Sequence, residues 1–583
     1  MLPAKHRSLL VLLLCCTARA QSGAPVSPDA LYRSAYAAYN AGDLKTAHAQ
    51  FARLVALAPQ AAVGHAAYGE VLLAEGEAKA ALQQLELARK LDPKSPATEI
   101  AIGNAWLALG DRKRAIADFA AGVAEGAGLA PEESERYASA LAAAGQPEKA
   151  ISVLQAALQT PGVAPTELAA LEDALGILLA QRGDYTQAAQ QFTAAIAAAP
   201  ELASAHAHLG SAALAQHQTD VAVAELRRAG ALAPGSAPYM VELGRALTAN
   251  GQDTEAVSVL RNAVALAKDA ELPQAQYALA LALQASGQPA EALPLFANYT
   301  AAQPGDTAAL TNYALALVET GDAKRAVTLY RQALDRGPDN ATLRQDYGVA
   351  YLQQSELDHA LEQFRAGLAL EPENSHLHYD LGLAYKLKDN LEAAIPEFER
   401  AEALDPTLPD PAYTLGVIHM QQGEFAAAAT ELEKTVALQP QNAAAWAVLG
   451  NVYKENDDPV KATAALRQAI ALDPNQPSTH ISLAAILAQG GDREGALAER
   501  KLAAALSQAA VSKQRASFAL KSGRALLDQG KVKEAETQLR TAVQAEPSDP
   551  AAHLALADAL ARDGQAADAA LERQRASALA AGK

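Results

Sequence analysis

Cysteine is almost missing from this 583-residue chain: there are two, Cys15 and Cys16, side by side within the first twenty residues. If that stretch is removed, what remains has neither disulfide nor thiolate chemistry. Aromatic residues make up only 5%. No sustained run of Val, Ile or Thr alternates with polar residues, so a sheet core is not expected. Past the first twenty residues no segment approaches the ~18 uncharged apolar residues that a membrane-crossing helix needs. Basic clusters are missing as well. The formal net charge is −18, and a nucleic-acid binder needs a stripe of Lys and Arg to displace counterions from phosphates. Nucleic acid is therefore not an expected partner. HExxH, paired CxxC, the phosphate-binding loop and a GxGxxG after a strand are all absent. No catalytic residue, metal site or cofactor is expected.

The opening stretch has its own logic. Lys5, His6 and Arg7 form a positive start, Leu9 to Cys16 a short apolar core, and Ala18-Arg19-Ala20 a small-residue cut site before Gln21. That order is the one a secretory signal peptide has, here spanning residues 1–20, with 21–27 as a short linker. The expectation is export, to a periplasm or to the medium. Its removal takes away Lys5, Arg7 and Arg19 and no acid, moving the charge from −18 to −21. The alternative is a lipoprotein anchored through Cys15 or Cys16. Against that anchor, the residue just before the cysteine would be Leu14 or Cys15, where a small side chain is normal.

What the chain has in plenty is alanine, the best helix former and the smallest side chain that still packs. It also has a beat. Prolines fall at 304, 338, 372, 406, 440 and 474, each 34 residues after the last. Twelve residues before each stands Ala292, Ala326, Ala360, Ala394, Ala428 or Ala462. Twenty-four before each stands Ala280, Ala314, Gly348, Gly382, Gly416 or Gly450. Turn glycines such as Gly287, Gly321 and Gly423 recur seventeen residues before the proline, suited to the left-handed conformation that ends a helix. With insertions of five, two and five residues, near 161–166, near 269–272 and before Pro547, sixteen such units fill the stretch from Pro28 to Lys583. No stretch is left over for a catalytic domain.

Within one unit, Ser375 to Leu408, the apolar face of a first helix carries Leu377, Leu381, Gly382 and Tyr385. A turn at Asp389-Asn390 leads to a second helix with Ala394, Phe398 and Ala401, which stops near Pro406 because proline lacks the N–H and clashes with the preceding turn. Gly382 and Ala394 mark the close approach of the two helices, and Phe398 is expected to fill the gap to the next unit.

The fullest single example is Ala443 to Gln476, with Trp446, Leu449, Gly450, Tyr453, Ala462, Leu466, Ala469 and Pro474 in place. This pattern resembles the tetratricopeptide repeat. The resemblance implies an all-α, right-handed superhelical α-solenoid of antiparallel helix pairs, first helices lining a concave groove that binds protein or peptide partners. It divides the chain into an array over 28–513 and two last units with a cap over 514–583. Arg500 stands where an apolar side chain should pack on the next unit, and the five-residue insertion follows, so either a weakened stack or hinge at 507–517 or an Arg500 that snorkels past a normal interface is expected. Arg573 occupies the same position in the last unit, where a polar outer face suits a terminal repeat. Pro294 and Pro396 fall early in second helices, where proline is costly.

Groove contacts in the resembling family come from set positions of the first helix. Here those positions carry Tyr277, Tyr379 and Tyr413 (position five), Asn451 (nine), and Lys386 and Lys454 (twelve). They are the candidate partner-binding residues, since tyrosine combines contact area with a hydrogen-bonding tip; the other reading is that the tyrosines fill the wall between first helices. Glycan contacts in polysaccharide assembly at the cell envelope are the alternative. An asparagine ladder at position six would favour that, but only Asn312 is found, beside Asp346, Asp380 and Thr414. The pairs His206/His208 and His376/His378 are two apart, on different helix faces, and are read as surface or groove histidines.

Overall fold

The computed structural model describes residues 27–126 and 128–581. The stretch expected to be a signal peptide, most of the expected linker and both cysteines lie outside these residues. Among the described residues there are 31 helices and no strands. They fall in two compact units whose boundary is between Thr320 and Gly321, in the turn joining Thr307–Glu319 to Ala323–Arg336.

First helices are mostly 13 residues long and second helices 14, as in Ser375–Leu387 and Leu391–Leu404. Their starts are sealed by the residues after the proline: the Leu377 N–H donates to Asn374 Oδ1 at 3.1 Å and the Ala445 N–H to Asn442 Oδ1 at 3.0 Å. Between the two helices one residue must take positive φ. Gly423 does so at 80°. His217, Ser355, Asp389 and Asp457 occupy the equivalent position and adopt φ of 58–60° without being glycine. The turn therefore dictates the conformation, and glycine is only its cheapest occupant.

The hairpin closes on the small residue of the first helix. A Cβ added at Gly382 would lie 2.7 Å from Phe398 Cε1, and one at Gly348 2.4 Å from Phe364 Cε1. Phe398 thus rests first on its own partner helix. It also packs with Leu415 and Ile418 of the next hairpin, which is the gap-filling expected of it. Phe51, Phe119, Phe192, Phe296, Phe364 and Phe398 are all essentially inaccessible. Pro294 and Pro396 sit inside unbroken helices, both on the exposed side, where water can serve the carbonyls left without an N–H.

The insertion near 161–166 precedes a first helix lengthened to 17 residues, Pro165–Gln181. The one near 269–272 lies just before and at the start of Leu272–Ala285. The third has a different outcome from a loop or hinge. Arg493–Asp528 is one continuous helix of 36 residues, serving as second helix of one unit and first helix of the next. Sixteen units in chain order therefore need only 31 helices. Gln508 stands where the proline beat would fall, and Ser507 to Ser517 contain neither Pro nor Gly, so nothing stops the helix. The stack is nonetheless thinned there, since no residue from Ala504 to Arg515 is buried.

Candidate functional site

Each first helix spends one face on its own second helix, and its fourth position on the joint with the preceding hairpin. In five units that fourth residue is histidine, and its Nε2–H donates to the carbonyl of the proline six residues earlier: His65 to Pro59, His206 to Pro200, His378 to Pro372, His480 to Pro474 and His553 to Pro547, at 2.9–3.1 Å. Trp446 does the same with its indole N–H to Pro440 at 3.0 Å. The other ring nitrogen meets the second helix, through Glu225, Glu397, Glu499 or Glu572 at 2.5–2.6 Å, or through Gln84 at 2.8 Å. His206 and His378 are therefore internal staples, not surface or groove residues. A His six residues after the proline and a Glu nineteen after the His would have disclosed them. Burial alone lowers the His480 pKa, but the Glu499 carboxylate and the Pro474 carbonyl outweigh it and hold it above the ordinary value.

Positions five and six bind neighbouring first helices together. Asn312 donates to the Tyr277 hydroxyl at 2.7 Å, Gln345 to Asp380 Oδ2 at 2.6 Å, and His208 Nδ1 lies 2.8 Å from Asp173 Oδ1. Tyr379 shares a hydrogen bond with Thr414 and its ring packs on Phe398 at 5.6 Å. Tyr277 is stacked on Tyr299 at 4.4 Å. Burial raises the pKa of both tyrosines. These two candidate contacts are thus largely committed to the wall between repeats. Tyr277 also belongs to the other compact unit from the remaining candidates.

Tyr413 is different. Position six of the next helix is Val448, which offers no acceptor, and the Tyr413 hydroxyl makes no hydrogen bond to any described side chain, while its ring lies on the Leu432–Leu449 cluster. Lys386 forms no ion pair among the described residues, and the Asn451 amide makes no hydrogen bond there. Lys454 is partly answered by Glu455 at 2.8 Å. Lys386 (helix Ser375–Leu387), Tyr413 (Pro409–Gln422) and Asn451 (Ala443–Glu455) thus present unspent polar groups on three successive first helices.

The acids at position six were legible only as departures from an asparagine ladder. Burial pushes the pKa of Asp346 up to about 6, with the charge of Asp380 adding to it. Burial likewise takes Asp380 to about 6, against the Gln345 bond and the charge of His376. Two carboxylates held in this way favour a cationic neighbour. Among the described residues no group of three or more His, Cys, Asp or Glu side chains is placed to hold a metal ion, and no helix is long and apolar enough to cross a membrane.

Three family models described as "Tetratricopeptide repeat" match the chain: one over residues 18–96, 174–237, 209–271, 277–341, 413–477 and 520–582, another over 317–379 and a third over 375–408. The stretches 97–173 and 478–519, the second with the first part of the long helix, are outside all three. No curated protein sequence matches. Among solved structures, the chain is similar to the hetero-tetramer Cut9–Hcn1 of APC/C (14% identity, 79% of this chain and 96% of that one, TM-score 0.40). It is also similar to YrrB, titled a TPR protein with an unusual peptide-binding site (21%, 32% and 92%, TM-score 0.29). A third is a tetratricopeptide repeat protein from Parabacteroides merdae (17%, 46% and 100%, TM-score 0.35).

Proposed function

The chain belongs to the tetratricopeptide repeat family, and from that premise we propose that it is an exported scaffold that holds a partner polypeptide along the first helices of residues 375–455. The family is a protein-interaction scaffold, and that much needs no further argument. The finer reading rests on one observation: Lys386, Tyr413 and Asn451 keep unspent hydrogen-bonding groups on successive first helices while their neighbours are tied into the wall. Unspent groups on a pre-organised surface lose little entropy on binding. The half-buried acids Asp346 and Asp380 suit a segment with a basic side chain nearby. Export rests on the charge and apolar order of residues 1–20.

The test separates hydroxyl from wall. The full chain would be used to capture polypeptides from an envelope fraction, in parallel with a Lys386→Ala/Tyr413→Phe/Asn451→Ala variant. Capture of a defined partner should fall at least ~10-fold, equivalent to about 1.4 kcal/mol, with helical content unchanged. Undiminished capture by the triple variant rejects this face. A reporter enzyme active only outside the cytoplasm, fused after residue 27, should be active. Silence of that reporter rejects export.

A further inference from the structure

The long helix Arg493–Asp528 carries a charge anomaly. From Arg500 to Leu527 there are six bases, Arg500, Lys501, Lys513, Arg515, Lys521 and Arg524, and no acid, in a chain of net charge −18. The sequence in isolation showed no Lys/Arg cluster, because the proline beat led one to expect a chain break in the middle. The unbroken helix joins both halves into one rod. All six bases are exposed, and none takes part in an ion pair among the described residues. Elsewhere cations bridge neighbouring second helices, as Arg227 does with Glu255 at 2.8 Å and Arg261 with Glu291 at 2.9 Å.

The same helix exposes an apolar seam. Leu497, Ala504, Val511 and Phe518 are spaced by seven, so they lie along one side of the rod. Leu497, Val511 and Phe518 are 54%, 60% and 73% exposed. Phe518 stands apart from six other phenylalanines that are fully buried. Arg500, Lys501 and Arg515 fall beside the seam, at the third and fourth positions after its apolar residues. From Leu497 to Phe518 the seam runs about 32 Å at 1.5 Å per residue, and no residue of its middle stretch, Ala504–Arg515, is buried.

We propose that this helix docks an acidic amphipathic helix of another protein, one with a heptad apolar seam flanked by Asp or Glu. Charge selects the occupant. A second copy of this chain would bring Arg500, Lys501 and Arg515 against the same three bases, and like charges across a coiled-coil seam disfavour pairing. A phosphate backbone would answer the bases but offers no heptad-spaced apolar side chains to cover the seam. An acidic helix satisfies the bases and covers the seam at once.

The test uses the purified full chain and a labelled 21-residue helix with Leu along its seam and Glu at the flanking positions of each heptad, against the same helix with Lys for Glu. The acidic probe should bind at least ~10-fold more tightly than the basic one and weaken as salt rises. Lys501→Glu/Arg515→Glu and, separately, Phe518→Ser should each cost it ~10-fold. These side chains are exposed, so the fold is kept and unchanged circular dichroism checks it. The proposal is overturned if the two probes bind alike or the acidic one does not bind. It is overturned too if anionic phospholipid vesicles bind and the acidic helix does not. Sedimentation showing a dimer that Phe518→Ser dissolves would assign the seam to a second copy instead.

Discussion

The hairpin Ser375–Leu387/Leu391–Leu404 and the rod Arg493–Asp528 belong to the same compact unit and are both rich in alanine, yet they solve opposite problems. In the hairpin, every turn of helix has a neighbour: Gly382 receives Phe398, His378 reaches Pro372 and Glu397, and Tyr379 ties to Thr414. In the rod the ends pack and the middle does not, and Phe518 faces water. The difference comes from a junction that holds neither proline nor glycine from Ser507 to Ser517; Asp253–Leu266, with Lys268 at its marker, still ends, and Pro273 follows it. A proline at the end of a second helix forces the chain to turn and brings the next hairpin down on the last. With Gln508 in its place the helix continues and the next hairpin is displaced along it. Stacking in this array is therefore set by where helices are made to stop as much as by what their faces carry.

The largest effect should come from the phenylalanine that differs most between the two regions. Phe398→Ala leaves a cavity beneath Gly382 and should cost about 3–5 kcal/mol, whereas Phe518→Ala should stay within ~0.5 kcal/mol. Hydrogen exchange read hairpin by hairpin distinguishes them, since unfolding in a repeat array is local. Equal losses would show that Phe518 is packed. Restoring the beat is the next test. Gln508→Pro removes an N–H and clashes one turn back, about 3 kcal/mol in a helix interior. Limited proteolysis should then cut within 504–515 and leave the hairpins on either side protected. If the protection of those hairpins also collapses, the rod is a structural strut and not an open surface.

Gly382→Ala tests the closeness of the ordinary hairpin. Its Cβ must push the ring of Phe398, so an overpacking cost of about 1–3 kcal/mol is expected, read as a lower midpoint for that hairpin. Ala280 and Ala314 fill the same position in other units, which places the cost toward the lower end. The smallest effect belongs to the staples. Because the His480 pKa is raised in the fold, its contribution is fully present below about 6.5, the unfolded value, and is lost as pH rises through the folded value. His480→Gln should therefore destabilise its hairpin at pH 6 by about 1 kcal/mol, as for other charge-assisted hydrogen bonds, and by less at pH 9. A penalty that grew with pH would show that the neutral ring is the stapling form.

Much of this was visible in the linear chain because the devices are local. Pro406, Gly382, Ala394 and Phe398 each act within one hairpin, and a spacing of 34 is enough to place them. The staples are legible too, in the six-residue spacing from Pro to His and the nineteen-residue spacing from His to Glu rather than in the two-residue spacing of the histidine pairs. The tyrosines were harder. Tyr379 and Tyr413 occupy the same position, and only the identity of the residue 35 further on, Thr414 or Val448, separates a bonded wall residue from one with a free hydroxyl.

By itself the sequence determined the all-α class, the register of sixteen units and the side chains that close each hairpin, because steric fit, proline and left-handed turns act over a few residues. Only the tertiary structure decided which polar groups are spent between neighbouring first helices, and that Arg493 to Asp528 is one rod with its bases and Phe518 in water. Those depend on what lies opposite each side chain. Where the beat falters, what lies opposite is settled by how far a helix runs before something stops it.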